Sequence, residues 1–199
     1  MPEKIALVTG SSSGFGLLIS VELAKAGFRV VATMRDLTRR GALDGAAQAA
    51  SVADQIVVRA LNVTDYDAMP GFVEQVVGDF GRVDLLVNNA GFAVAGFAED
   101  IQLEELRLQF ETNFFGAVAM TKAVLPVMRR QKSGHIIQVS SINGLHGSVS
   151  VSSYAASKHA LEGWSESLRM EVNALGNQGC AGRARSVSDR YLDPRGCDG

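Results

Sequence analysis

Tyr154 and Lys158 stand four residues apart, a spacing that would place both side chains on one face of a helix. A free tyrosine phenol titrates near about 10, too high for a base at neutral pH. A neighbouring ammonium favours the phenolate, which makes proton exchange with an alcohol or ketone oxygen feasible. Ser141, upstream in the chain, offers a hydroxyl that could hydrogen-bond the same oxygen. Tyrosine and lysine at this spacing also occur by chance, and the pair alone would read as structural. The surrounding chain decides between the two readings.

A second candidate lies near the start. Thr9, Gly10, Ser11, Ser12, Ser13, Gly14, Phe15 and Gly16 follow a short apolar run and precede a helix-like pattern. Glycines there allow a tight turn and a close approach of backbone N–H groups to a pyrophosphate, and the helix N-terminus adds positive partial charge. A plain turn would explain such a run in isolation, but its place after the first strand of an α/β chain favours a dinucleotide site. At the end of the second strand, a cofactor without a 2′-phosphate meets a carboxylate. Here that position reads Thr33-Met34-Arg35, and a guanidinium can pair with a phosphate in bidentate fashion. Asp36 is adjacent, and Arg35 has a plain surface reading as well. The balance favours NADP over NAD.

The elements that must position these groups alternate along the chain. Apolar runs at Lys4–Thr9, Arg29–Met34, Gln55–Leu61, Val83–Val87 and His135–Ser140 read as buried strands. Between them, Phe15–Ala26, Asp65–Phe80, Leu103–Gln131 and Ser153–Leu175 read as helices, with a kink expected at Pro126. This alternation predicts a doubly wound α/β fold, a parallel sheet with helices on both faces. Ser141 would then open on the carboxyl edge of the sheet, where such folds bind ligands.

With these pieces in place, residues 4 to 176 resemble the short-chain dehydrogenase/reductase family. Thr9-Gly10, Gly14 and Gly16 fit its glycine motif, and Asn88-Asn89-Ala90-Gly91 fits its cofactor-flanking motif after the fourth strand. Asn113, within Asn-Phe-Phe-Gly, matches its helix asparagine, and Ser141, Tyr154 and Lys158 keep its order and spacing. The resemblance implies Tyr154 as general acid/base, with Lys158 lowering its pKa and binding the nicotinamide ribose. It implies Ser141 as carbonyl-orienting, and Asn113 as holding a water on the proton relay. Cofactor contacts would come from Gly10, Ser12, Ser13, Gly14, Phe15, Gly16, Arg35, Asn62, Val63, Asn89, Ala90 and Gly91, together with Tyr154 and Lys158. Asn62 departs from the aspartate the family places near the adenine. Val31–Asp36 and Tyr154–Gly163 look like the branch near 17β-hydroxysteroid and retinol dehydrogenases, whose members often prefer NADP(H). His146 and Ser148 lie where the family lines its substrate pocket, and each is equally readable as a plain loop residue.

After Gly176 the pattern stops. The family's last strands have no counterpart in residues 177 to 199, so the sheet is expected to lack them and to leave the fifth strand as an exposed edge. Read with a one-nucleotide shift, the codons of this segment permit Ile-Lys-Val-x-Leu-Val-Glu-Pro-Gly-Pro-x-x-Thr-Asp-Ile, which is what the family would place there. The tail is therefore expected to be frameshifted, on an incomplete dinucleotide-binding domain at 1–176. A disordered, divergent tail is the bland alternative.

Bulk properties fit a single domain: 199 residues, 47% hydrophobic and 20% charged, with a net charge of −2. That charge gives no reason to expect nucleic acid or an anionic membrane as partner. Without a secretory leader or a long apolar run, a cytoplasmic location is expected. Cys180 and Cys197 lack nearby histidines, so no metal is expected. The expected activity is hydride transfer between NADP(H) and a ketone or secondary alcohol, in a homo-dimer or tetramer. The alternative is a truncated, non-catalytic nucleotide-binding remnant.

Overall fold

The computed structural model describes residues 3–174 and the backbone of 184–186. The strands are β1 (Lys4–Val8), β2 (Phe28–Met34), β3 (Ile56–Ala60), β4 (Leu85–Asn88), β5 (His135–Gln138) and β6 (Ala184–Ser186). The helices are α1 (Gly14–Lys25), α2 (Gly41–Ala49), α3 (Ala68–Phe80), α4 (Leu103–Phe110), α5 (Gly116–Gln131) and α6 (Ser152–Ala174). The strands form one sheet in the order β3-β2-β1-β4-β5-β6, and every pairing is parallel. This is the doubly wound arrangement predicted from the alternating pattern.

The two-residue period of a strand divides β1 between two cores. Ile5 and Leu7 face one core with Phe72, Val73 and Val76 of α3 and Met120 and Val124 of α5. Ala6 and Val8 face the other, with Val21 and Ala24 of α1 and Leu43 and Ala47 of α2. The chain runs outward from β1 to β3 and then returns to β4 on the other side of β1. That reversal opens a crevice beyond the carboxyl ends of β1 and β4, the place where open α/β sheets bind ligands.

Three features differ from the sequence expectations. The stretch 41–49 forms a helix that the apolar pattern does not announce, because only Leu43 and Ala47 of it are buried. The long helix is divided at Glu111–Phe115 by a π-helical turn between α4 and α5 that the sequence does not announce, and Pro126 lies within α5. The expected exposed edge at β5 is corrected as well. Ala184–Ser186 pairs with Ile136–Gln138 as a sixth parallel strand. Pairing of this kind uses backbone groups alone, so it needs no apolar run to mark it. The rest of the expected frameshifted tail lies outside the described residues.

Candidate active site

The glycine turn is shaped by close backbone approach. Gly10 and Gly14 have positive φ, 71° and 58°. A Cβ on Gly16 would lie 2.2 Å from the Gly10 carbonyl oxygen and 2.4 Å from Asn89 Nδ2. One on Gly10 would lie 2.7 Å from Ala90 Cα. Asn89 Nδ2 donates to the carbonyls of Thr9 and Gly10 at 2.9 and 3.0 Å. Thr9 Oγ1 accepts the backbone N–H groups of Asn89 and Ala90, both at 3.0 Å. The turn after β1 and the turn after β4 are thus tied into one bed. Thr9 takes part in three of these four bonds, whereas the sequence reading places it at the head of the motif and assigns it no cofactor contact.

This bed fits a dinucleotide phosphate. Ser13, at the N-cap of α1, makes no side-chain capping bond, so the first N–H groups of the helix have no cap of their own. A Cβ on Gly14 would meet nothing within 4 Å, so the turn is open on that side. Ser12 is half-buried, whereas Ser13 and Phe15 are exposed, the latter at 74%.

At the end of β2, Arg35 is exposed. The adjacent Asp36 is occupied: its Oδ1 accepts from Thr38 N at 2.9 Å and Thr38 Oγ1 at 2.7 Å. These two hydrogen bonds hold its carboxyl below the usual carboxylate range. Asp36 therefore caps the turn that follows, and Arg35 is the cation left at the strand end. Asn62 is exposed and folds its own loop, its Oδ1 accepting from Thr64 N and Thr64 Oγ1 at 3.3 and 3.0 Å. Val63, next to it, is buried.

The catalytic candidates gather where β5 meets α6. Lys158 is buried, and its Nζ donates to the Val139 carbonyl just past β5 at 2.7 Å. The same Nζ lies 5.8 Å from the centroid of the half-buried Tyr154 ring. Burial pushes the lysine pKa down to about 8, opposed by the charge of Glu162 one turn along α6. Ser141 Oγ accepts the Asn143 N–H at 3.2 Å, which leaves its own O–H free to donate elsewhere.

Asn113, in the π-helical turn, is 1% exposed. Its Oδ1 accepts the Phe92 N–H at 3.0 Å, and its Nδ2 donates to the Phe92 carbonyl at 2.8 Å and to Ser157 Oγ at 3.2 Å. Ser157 in turn donates to the Tyr154 carbonyl at 2.7 Å. Asn113 is therefore joined both to the loop after Gly91 and to the helix that bears Tyr154. Ser157 is a link that sequence reasoning missed, although it stands within the Tyr-x-x-Ser-Lys stretch. A Cβ on Gly91 would come within 3.0 Å of Asn113 Oδ1, which explains the small residue there.

Two loops flank this group. The Gly96 N–H donates to the Ser150 carbonyl at 2.9 Å, tethering the loop after β4 to the one before α6. They expose Phe92 and Phe97 on one side, Ile142 and Val149 on the other. His146 and Ser148 are exposed on the second loop. A surface cavity of about 500 Å³ lies elsewhere, lined by Arg59 and Ala60 at β3 and by Phe72, Gln75, Gly78 and Asp79 of α3.

Comparisons with known proteins identify relatives over most of the chain. An uncharacterized oxidoreductase of Bacillus subtilis, YusZ, is 50% identical over 176 residues, covering 88% of this chain and 62% of its own. Retinol dehydrogenase 8 of Bos taurus is 44% identical over 172 residues, covering 85% of this chain and 54% of its own. This chain thus spans little more than half the length of these curated relatives. A metagenomic short-chain oxidoreductase solved in complex with NADP superposes with a TM-score of 0.81 at 30% identity, covering 94% of this chain and 80% of its own. The short chain dehydrogenase family profile matches residues 4–176, and the chain belongs to that family.

Proposed function

We propose that this chain moves a hydride between NADP(H) and a ketone or secondary alcohol. The observation that carries the reading is the buried Lys158, fixed to the end of β5 and set beside the Tyr154 ring. Tyr154 Oη would give a proton to the substrate oxygen during reduction and take it back during oxidation. Ser141, with its O–H unspent, would orient that oxygen. Both N–H groups of the Asn113 amide are committed to Phe92 and Ser157, so a water on a proton relay would be held by its backbone carbonyl. Bound cofactor would supply or accept the hydride.

Cofactor would lie along the bed of Gly10, Ser12, Ser13, Gly14, Phe15 and Gly16, with Asn62, Val63, Asn89, Ala90 and Gly91 beside it. The exposed Arg35, and an Asp36 carboxylate engaged by Thr38, support a 2′-phosphate, and with it NADP rather than NAD. The NADP in the metagenomic relative points the same way. Phe92, Phe97, Ile142 and Val149 present apolar surface, which suits a substrate with a bulky apolar body, in keeping with the retinol in one relative's name. The exposed Leu108, Phe115 and Met170 would be covered by a second copy of the chain.

Thermal shift with NADPH, followed by turnover of a panel of apolar carbonyls, tests the reading. NADPH should raise the melting temperature, and Tyr154→Phe should keep that shift while losing turnover by about a thousandfold. Stabilisation without turnover in the unsubstituted chain would mark nucleotide binding alone. No stabilisation at all would overturn the proposal.

A further inference from the structure

The π-helical turn that carries Asn113 needs an explanation of its own. Such a turn replaces the regular i→i+4 bonding with a wider i→i+5 loop, seen here in the Gly116 N–H donating to the Glu111 carbonyl. The Asn113 side chain ties its middle to Phe92 and Ser157, and the helices on either side are regular. A second hold on it comes from another part of the chain, the loop between β3 and α3.

That loop grips both ends of the turn. At its start, the Tyr66 hydroxyl is hydrogen-bonded to the Glu111 carboxylate and lies 3.2 Å from the Glu111 carbonyl, the group that accepts the i→i+5 bond. At its end, Gly116 packs so closely on Val63 that a Cβ there would be 2.7 Å from the Val63 carbonyl oxygen. Tyr66 is half-buried against the core that contains Val63, Phe72 and Met120, so its ring is anchored independently of the hydroxyl. Burial first, and then the Glu111 contact, raise the pKa of the phenol well above its ordinary value. It remains a hydrogen-bond donor throughout any practical assay range.

We propose that Tyr66 and Glu111 form a latch between the β3–α3 loop and the π-helical turn, making them positioning residues for Asn113. The inference rests on the proposed catalytic reading. The latch fixes the turn, the turn fixes Asn113, and Asn113 reaches the Tyr154 backbone through Ser157. The same loop carries Asn62 and Val63, the residues placed beside the cofactor. The proton-transfer group and one wall of the cofactor bed therefore share a single mechanical connection.

Tyr66→Phe removes the latch and keeps the ring. On the full chain we expect kcat to fall about tenfold, with KM for NADPH changed by less than about twofold. Glu111→Gln keeps an acceptor for the phenol and should lose no more than about threefold, whereas Glu111→Ala should match Tyr66→Phe. In an Asn113→Ala background, Tyr66→Phe should have almost no further effect, because both act through one group. Hydrogen exchange adds a readout independent of turnover: without cofactor, amides 111–116 should exchange about tenfold faster in Tyr66→Phe. Unchanged exchange in that segment would overturn the latch, as would a kcat loss that adds in full to that of Asn113→Ala. If the unsubstituted chain shows no turnover, the catalytic reading fails by itself, and the exchange measurement alone then decides the latch.

Discussion

Replacing Lys158 with methionine should make the protein more stable at neutral pH while removing its proposed chemistry. Lys158 is 5% exposed, and its pKa falls from the ordinary 10.5 to about 8, chiefly through burial. A difference of that size corresponds to roughly 3 kcal/mol of penalty on keeping the charged form in the folded state. The attraction of Glu162 is already included in it, since that attraction opposes the burial effect. Methionine has a similar length, fills the same channel and carries no charge. It forfeits the 2.7 Å hydrogen bond to the Val139 carbonyl, which is worth about 1–2 kcal/mol once the acceptor is left unpaired. The net expectation for Lys158→Met is a gain of about 1–2 kcal/mol at pH 7.

The pH dependence gives this reasoning its sharper test. Below pH 8 Lys158 is charged in both the folded and unfolded chains, and the penalty is fully present. Between pH 8 and 10.5 the folded chain has released the proton and the unfolded chain still holds it, so stability rises with pH. Above 10.5 the penalty is gone. The stability difference between Lys158→Met and the parent chain should therefore be largest below pH 8, shrinking and changing sign towards 10.5. Urea denaturation of both proteins across that range measures it, and other titrating groups largely cancel in the difference. A methionine variant less stable than the parent at pH 7, or a pH-independent gap, would refute the argument.

Three further substitutions probe the proposed cofactor bed. Arg35→Ala should raise KM for NADPH by about 10–100-fold while leaving that for NADH within a few-fold, since only the former has a 2′-phosphate to pair with; equal effects on both would remove Arg35 from the site. Gly16→Ala places a methyl 2.2 Å from the Gly10 carbonyl and 2.4 Å from the Asn89 amide. It should lower stability by about 1–3 kcal/mol and abolish the NADPH-induced thermal shift. Gly14→Ala, which meets no neighbour within 4 Å but keeps φ at 58°, should lose only about 1 kcal/mol.

Where chemistry is written in local spacing, it is legible in the sequence. Tyr154 and Lys158 share a face because one helix carries both, and the glycines of the first turn announce themselves by type. The doubly wound sheet follows from apolar runs that alternate with helical patterns. The features that escape have a different physical origin. Helix α2 buries only Leu43 and Ala47, so it has little periodic signal. Strand β6 pairs with β5, and Ala184-Arg185-Ser186 has no apolar residue larger than alanine in its sequence to mark it. The Asn113 side chain was legible as a motif, but the turn that aims it was not. Pro126 is a local signal that any reader of the chain can see, whereas the π-helical turn is met by contacts from the β3–α3 loop, 45 residues away at Tyr66 and Glu111. Residue types thus point to the candidate reacting groups, while the residues that hold them in register are found only where distant segments touch. Substitutions at Tyr66 or Glu111 should accordingly damage function without altering any of the motifs by which the chain is recognised.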